Sequence, residues 1–137
     1  MKEHKTLDRW PYAPDLRGRA IHFAKAYDRL VREADALVAQ APMQDGQPRG
    51  TKTSDPVAAA AIRRERIRHE ISIIEGALLD IEPEYRPGIL DNVCRGIPML
   101  SLGLASESTW KRKRRMFLAG IVSRSGWASS ESEWIQH

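Results

Sequence analysis

The chain has 137 residues, a net charge of +4, 42% hydrophobic and 29% charged residues, a size and mix that suit one small folded domain rather than a disordered chain. Its single cysteine, Cys94, excludes an internal disulfide and a cysteine-based zinc site. No apolar run approaches the ~18 residues a bilayer crossing needs, and the polar start Met1-Lys2-Glu3-His4-Lys5 lacks the apolar core of a secretory signal, so a cytoplasmic protein with no membrane partner is expected.

In chain order, residues 1–15 form an N-terminal extension. Pro11 and Pro14 favour extended backbone in it, and Asp15 is placed to cap the first helix. From Leu16 to Gln40, Ile21, Phe23, Ala24, Tyr27, Leu30, Val31, Ala34, Leu37 and Val38 recur mostly at three- and four-residue steps, which predicts one amphipathic helix ending at Ala41-Pro42. Residues 41–55 are polar and rich in turn formers, as in an exposed loop; Arg49 and Lys52 fall there.

Ser54-Asp55-Pro56 is a helix start, with a polar cap and then proline at the first helical position. Ile67, Ile71, Ile74, Leu78 and Ile81 then advance by alternating steps of four and three, an a/d seam, while Ile62, Ile73 and Leu79 widen the apolar surface. This helix is expected to pack antiparallel on the first, so residues 16–82 form a helical hairpin; a second subunit, giving a homodimer, is the alternative partner for the seam. Glu82-Pro83-Glu84 breaks the pattern. A short helix spans 83 to 95, burying Tyr85, Ile89, Leu90 and Val93, and Gly96-Ile97-Pro98 stops it. After a loop over Met99–Ala105, Ser106 caps a last helix reaching Ser123, and residues 125–137 are a tail. The expected fold class is therefore all-α: a long helical hairpin, then a small C-terminal helix–turn–helix over residues 83–124.

The chemistry concentrates in that last helix. Lys111, Arg112, Lys113, Arg114 and Arg115 are five consecutive cations, a focused basic patch on a mildly charged protein. On a helical wheel Trp110, Phe117 and Ile121 fall within ~40° of one another, with Leu118 beside them. Ser108, Lys111, Arg112, Arg115 and Ala119 fall away from that face, and Lys113 and Arg114 lie at its edges, where their stems can snorkel. A recognition helix needs this arrangement. Ser106, Ser108 and Thr109 are short hydrogen-bonding residues for base edges in its first turn, and Lys111, Arg112 and Arg115 are long enough for phosphates or guanine. Double-stranded DNA is the expected partner.

Other chemistry finds little support. His4, His22, His69 and His137 are scattered, and only His69 has a co-ligand at helical spacing, Glu65. Cys94 has no evident base partner, and no glycine-rich phosphate loop occurs. No cofactor, metal or catalytic activity is expected.

Several short motifs also share an order and spacing. They are Gly50-Thr51-Lys52-Thr53-Ser54-Asp55-Pro56, Ile81-Glu82-Pro83-Glu84-Tyr85-Arg86-Pro87-Gly88-Ile89, Asp91-Asn92-Val93, and Ala105-Ser106 followed by Thr109-Trp110-Lys111-Arg112 with Arg115 and Phe117. Over residues 25–122 the chain resembles the RinA/ArpU-like family of phage regulators. It departs in its N-terminal extension through Pro14 and in Met99–Gly103, which stands where a short aromatic turn is expected. The resemblance implies an activator of late phage or packaging genes working near host RNA polymerase, with a C-terminal part similar to the promoter-reading region of sigma factors and Ser106–Leu118 as the DNA-reading helix. Two other readings stay open: a small terminase-type DNA-packaging protein, which joins the same elements into a large ring, and a protein-only helical adaptor.

Overall fold

Helix α1 (Pro14–Lys25) starts with proline at N1, where its missing N–H leaves no further donor unsatisfied. The computed structural model describes residues 9–40 and 54–128; the expected loop at 41–55 lies almost wholly outside that range, as do most of the N-terminal extension and the tail. Ala13 is the N-cap and makes no side-chain capping bond, so Asp15 does not cap this helix but sits one residue inside it, as an acidic group of the first turn.

The single helix expected over 16–40 is two helices. α1 stops at Ala26, whose N–H turns back to the Phe23 carbonyl at 3.2 Å, and α2 (Tyr27–Gln40) continues at once. No glycine or proline marks the break. Its cause is tertiary: α1 packs on the last helix and α2 packs on the third, and the joint lets one amphipathic stripe serve two partners. α1 buries Leu16, Ala20 and Ala24, an i, i+4, i+8 line in which alanines allow close approach.

α3 (Ser54–Leu78) begins two residues before the expected position. Tyr27 at the start of α2 reaches Glu75 near the end of α3, with its hydroxyl donating at 2.7 Å, the register of an antiparallel pair. Burial and the Glu75 carboxylate push the Tyr27 hydroxyl up to about 12. Along the seam Ile67, Ile74, Leu78 and Ile81 are buried and Ile71 is half-buried. Of the three flanking residues only Ile73 is buried; Ile62 and Leu79 face solvent at 63% and 67% exposure, so they do not widen the packed surface.

Past Leu78 the chain tightens: the N–H groups of Leu79, Asp80 and Ile81 bond three residues back instead of four. Arg86 secures this ending: its Nε donates to the Ile81 oxygen and to the Leu78 oxygen, which also accepts the Ile81 N–H, at 2.9 Å each. Residues 83–94 are helical but mixed, as a 3-10 turn (Pro83–Tyr85), α4 (Arg86–Ile89) and a π turn (Leu90–Cys94). Cys94 is half-buried there, and burial pushes its thiol up to about 12, which makes it an inert packing residue at neutral pH.

The last helix, α5 (Glu107–Ser125), runs through the middle of the molecule between α1 and α3. It crosses α3 closely. A Cβ on Gly120 would lie 3.1 Å from the Ala77 Cβ and 2.5 Å from an Asp80 oxygen, and Arg124 clamps the crossing with two bonds to Asp80, at 2.8 and 3.0 Å. α5 ends at Gly126 in the left-handed region (φ 86°). Trp127 then folds back edge-on to Phe23, with Arg19 4.0 Å above its ring, so the first residues after α5 belong to the packed structure.

One buried cluster draws on α1, α2, α3, residues 83–94 and α5. The helical hairpin and the small C-terminal module therefore share a core, and the boundary at 82/83 marks a turn rather than a gap in packing. The described residues are mostly helical and contain no strand, and among them no helix is long and apolar enough to cross a membrane.

Candidate nucleic-acid interface

α5 begins with a built cap. The Ser106 hydroxyl accepts from the Thr109 backbone N–H at 3.3 Å and lies 3.2 Å from the Thr109 hydroxyl, to which it donates. Ser108 stands 3.4 Å away on the same turn. Two of the three hydroxyls expected to approach base edges, those of Ser106 and Thr109, are thus engaged with one another, and Ser108 is the most available of the three.

Trp110 anchors the helix. It is 1% exposed, its indole N–H donates to the Gly103 carbonyl at 2.8 Å, and Tyr85 meets its ring edge-on at 5.3 Å. Gly88 is the floor of this socket: a Cβ there would come within 2.4 Å of the Trp110 ring. The connection before α5 runs over residues 95–106, far longer than the three- or four-residue turn of a tight helix–turn–helix, and it contains a 3-10 turn (Met99–Ser101). It is tied at both ends. Asn92 donates to the Ile97 carbonyl at 2.8 Å at one end, and Trp110 holds Gly103 at the other. Leu104, just beyond Gly103, takes a positive φ of 70°, and Leu100 is 82% exposed.

Several motif residues that carried the family resemblance are accounted for here by architecture. Arg86 closes α3, Tyr85 and Gly88 shape the Trp110 socket, Ile89 and Val93 are buried, and Asn92 pins the connection. These residues aim α5; they are not themselves surface chemistry.

The five cations divide into three groups. Lys111 and Arg112 are exposed, as the wheel requires. Lys113 turns inward: its side chain is 13% exposed, its Nζ lies 2.8 Å from Glu82 and 4.9 Å from the Tyr85 ring centre. That bond holds the Glu82 carboxyl below its ordinary range. Arg114 and Arg115 are half-buried. Ala119, expected on the outward face, is buried at 7% exposure, because residues 117–122 are enclosed by α1 on one side and α3 on the other.

A cleft of about 430 Å³ opens along one side of α5. Arg17 of α1 and Lys111, Arg114 and Arg115 of α5 line it, with Glu107 as the one carboxylate; Met99 and Leu118 supply its apolar surface. The sequence pattern does not single out Arg17 as a site residue. Nothing in the local pattern of α1 distinguishes it from the other exposed arginines, and only the packing of α1 on α5 brings it to the cationic helix.

Comparison of the chain with protein families, with curated proteins and with solved structures finds no match.

Proposed function

We propose that the chain is a phage- or prophage-encoded, sequence-specific DNA-binding regulator of transcription, an activator of late or packaging genes, with α5 as the helix that enters the major groove. The observation that carries this reading is the first half of α5, where Ser108, Lys111 and Arg112 stand exposed on a helix whose Trp110 is 1% exposed and locked to its surroundings. A rigid cationic helix end meets a polyanion with little ordering cost, which is what groove recognition requires. In this reading Arg112 contacts guanine, Lys111 and Arg115 hold phosphates, and Ser108 meets a base edge. The resemblance to the RinA/ArpU-like family supports the same helix and adds host RNA polymerase as a partner. Val57 and Ile62, exposed at 65% and 63% on α3, suit contact with a second copy.

The test is binding of the full chain to genomic fragments, followed by quantitative titration on the preferred duplex and on random duplex. If Lys111 and Arg115 neutralise one phosphate each, log affinity falls with log salt at a slope of about −1.8. Arg112→Ala costs about 1–3 kcal/mol on the preferred site and less on random DNA. Equal losses on both duplexes mean that α5 only grips backbone. Affinity that ignores salt points to the adaptor reading, and a ring of roughly eight or more subunits in solution transfers the chain to DNA packaging.

A further inference from the structure

We infer that the cleft between α1 and α5 is a binding site for a phosphate-class oxyanion, held by Arg17, Lys111 and Arg114. The site is assembled from two helices far apart in sequence, and three observations converge on it. First, the cleft is lined by four cations against one carboxylate, Glu107, so an anion entering it meets a strong excess of positive charge. Second, the Arg114 Nε is buried and has no hydrogen-bond partner among the described residues, although the residue lines the cleft. A buried unpaired donor on a charged group is costly, and a slight shift of the side chain that opens Nε to the cleft presents the side-on fork of Nε and Nη with which arginine grips a phosphate. Third, Arg17 is placed rather than loose. Its guanidinium lies 5.9 Å from the Trp10 ring centre, and the Trp10 indole is fixed by a 2.8 Å bond to the Ala13 carbonyl.

Like charges gathered this way are a strain that a ligand relieves. Burial first, and then the neighbouring Arg17 charge, push the Arg114 guanidinium down from its ordinary value. A bound oxyanion reverses the second of these effects. Inorganic phosphate groups suit the cleft better than a carboxylate, because three separate cations converge and a phosphate offers three acceptor oxygens. Such a group has two sources, the backbone of duplex DNA and a small free phosphate. The DNA source rests on the proposed function; the oxyanion site does not.

The probe is inorganic pyrophosphate, titrated into the full chain at constant ionic strength and followed by the arginine Nε–H and α5 amide resonances. We expect saturable shifts centred on Arg114, Arg17 and Lys111. The charge reversal Arg17→Glu, at an exposed position and with its unfolding midpoint measured alongside to check the fold, should weaken binding by about tenfold or more. Arg66→Glu, an exposed change on α3 away from the cleft, serves as the charge control and should leave it unchanged. Shifts that never saturate, or equal losses for Arg17→Glu and Arg66→Glu, overturn the site. Duplex DNA forms the second arm. If pyrophosphate competes with duplex and Arg17→Glu weakens both, the anion is a backbone phosphate. If pyrophosphate binds as expected while duplex binding is absent or indifferent to Arg17, the site stands and its ligand is a free phosphate. If duplex binds and neither pyrophosphate nor Arg17→Glu has any effect, the DNA reading survives and the oxyanion site falls.

Discussion

The two halves of α5 obey different rules. From Glu107 to Arg115 the helix has one buried anchor, Trp110, among charged and hydroxyl residues; from Phe117 to Val122 every residue is buried, Gly120 included. An ordinary surface helix separates polar from apolar by face, along its whole length. Here the separation is largely end to end. The second half is a core helix gripped by α1 and α3, and the first half keeps one side in the Trp110 socket while Ser108, Lys111 and Arg112 face outward. A helix built this way transmits its orientation from the core to the exposed end, where contact with a partner would be made.

The contrast breaks most completely if the gripped half is hollowed. Phe117 is 0% exposed within the buried cluster, and Phe117→Ala should cost about 3–5 kcal/mol. Thermal or denaturant unfolding measures this, and a loss below about 1 kcal/mol would mean that the second half is not the core it looks like.

A smaller effect tests how the two halves are joined. Gly88→Ala puts a Cβ 2.4 Å from the Trp110 ring, which is itself buried and cannot swing away. Replacing a helical glycine by alanine normally gains about 0.5–1 kcal/mol, but overpacking costs about 1–3 kcal/mol, so the net change should be destabilising. Gly18→Ala in α1 meets nothing within 4 Å and should show the gain alone. Opposite signs for these two substitutions, read from unfolding midpoints, locate the constraint in the Trp110 socket. Two changes of the same sign would remove it.

Much of this fold is legible in the sequence, and the failures have a common cause. The helical spans, the Ser106 cap, and the burial of Trp110, Phe117, Leu118 and Ile121 come from local spacing and capping chemistry. The break at Ala26 does not, because it answers to α1 and α2 having different partners rather than to any residue at the joint. A wheel puts Ala119 outward because it assumes one buried face, whereas this stretch has neighbours on two sides. Arg17 is invisible to local pattern for a similar reason: its contribution is a matter of which helices touch. Lys113 is only half readable. The wheel puts it at the edge of the apolar face, but its bond to Glu82 depends on where the turn between α3 and residues 83–94 lies.

The smallest effect separates stability from binding at the exposed end of α5. Ser106 both caps the helix and stands where a recognition helix would approach DNA, so Ser106→Ala alone is ambiguous. Its loss should cost about 1 kcal/mol of stability, because the Thr109 N–H loses its acceptor. Ser106→Asp keeps an acceptor at the cap and places a negative charge at the helix N-terminus, which the helix itself favours. It should therefore restore the stability that alanine removes. Toward DNA the same carboxylate is repulsive, since it adds charge beside the phosphates and offsets one of the nearby cations. Stability by unfolding and affinity for duplex, measured side by side on the two variants, should move in opposite directions: alanine less stable with nearly unchanged intrinsic affinity, aspartate fully stable with weakened affinity. If aspartate restores stability and leaves duplex binding untouched, the first turn of α5 does not face DNA, and the contact surface must be sought further along the helix.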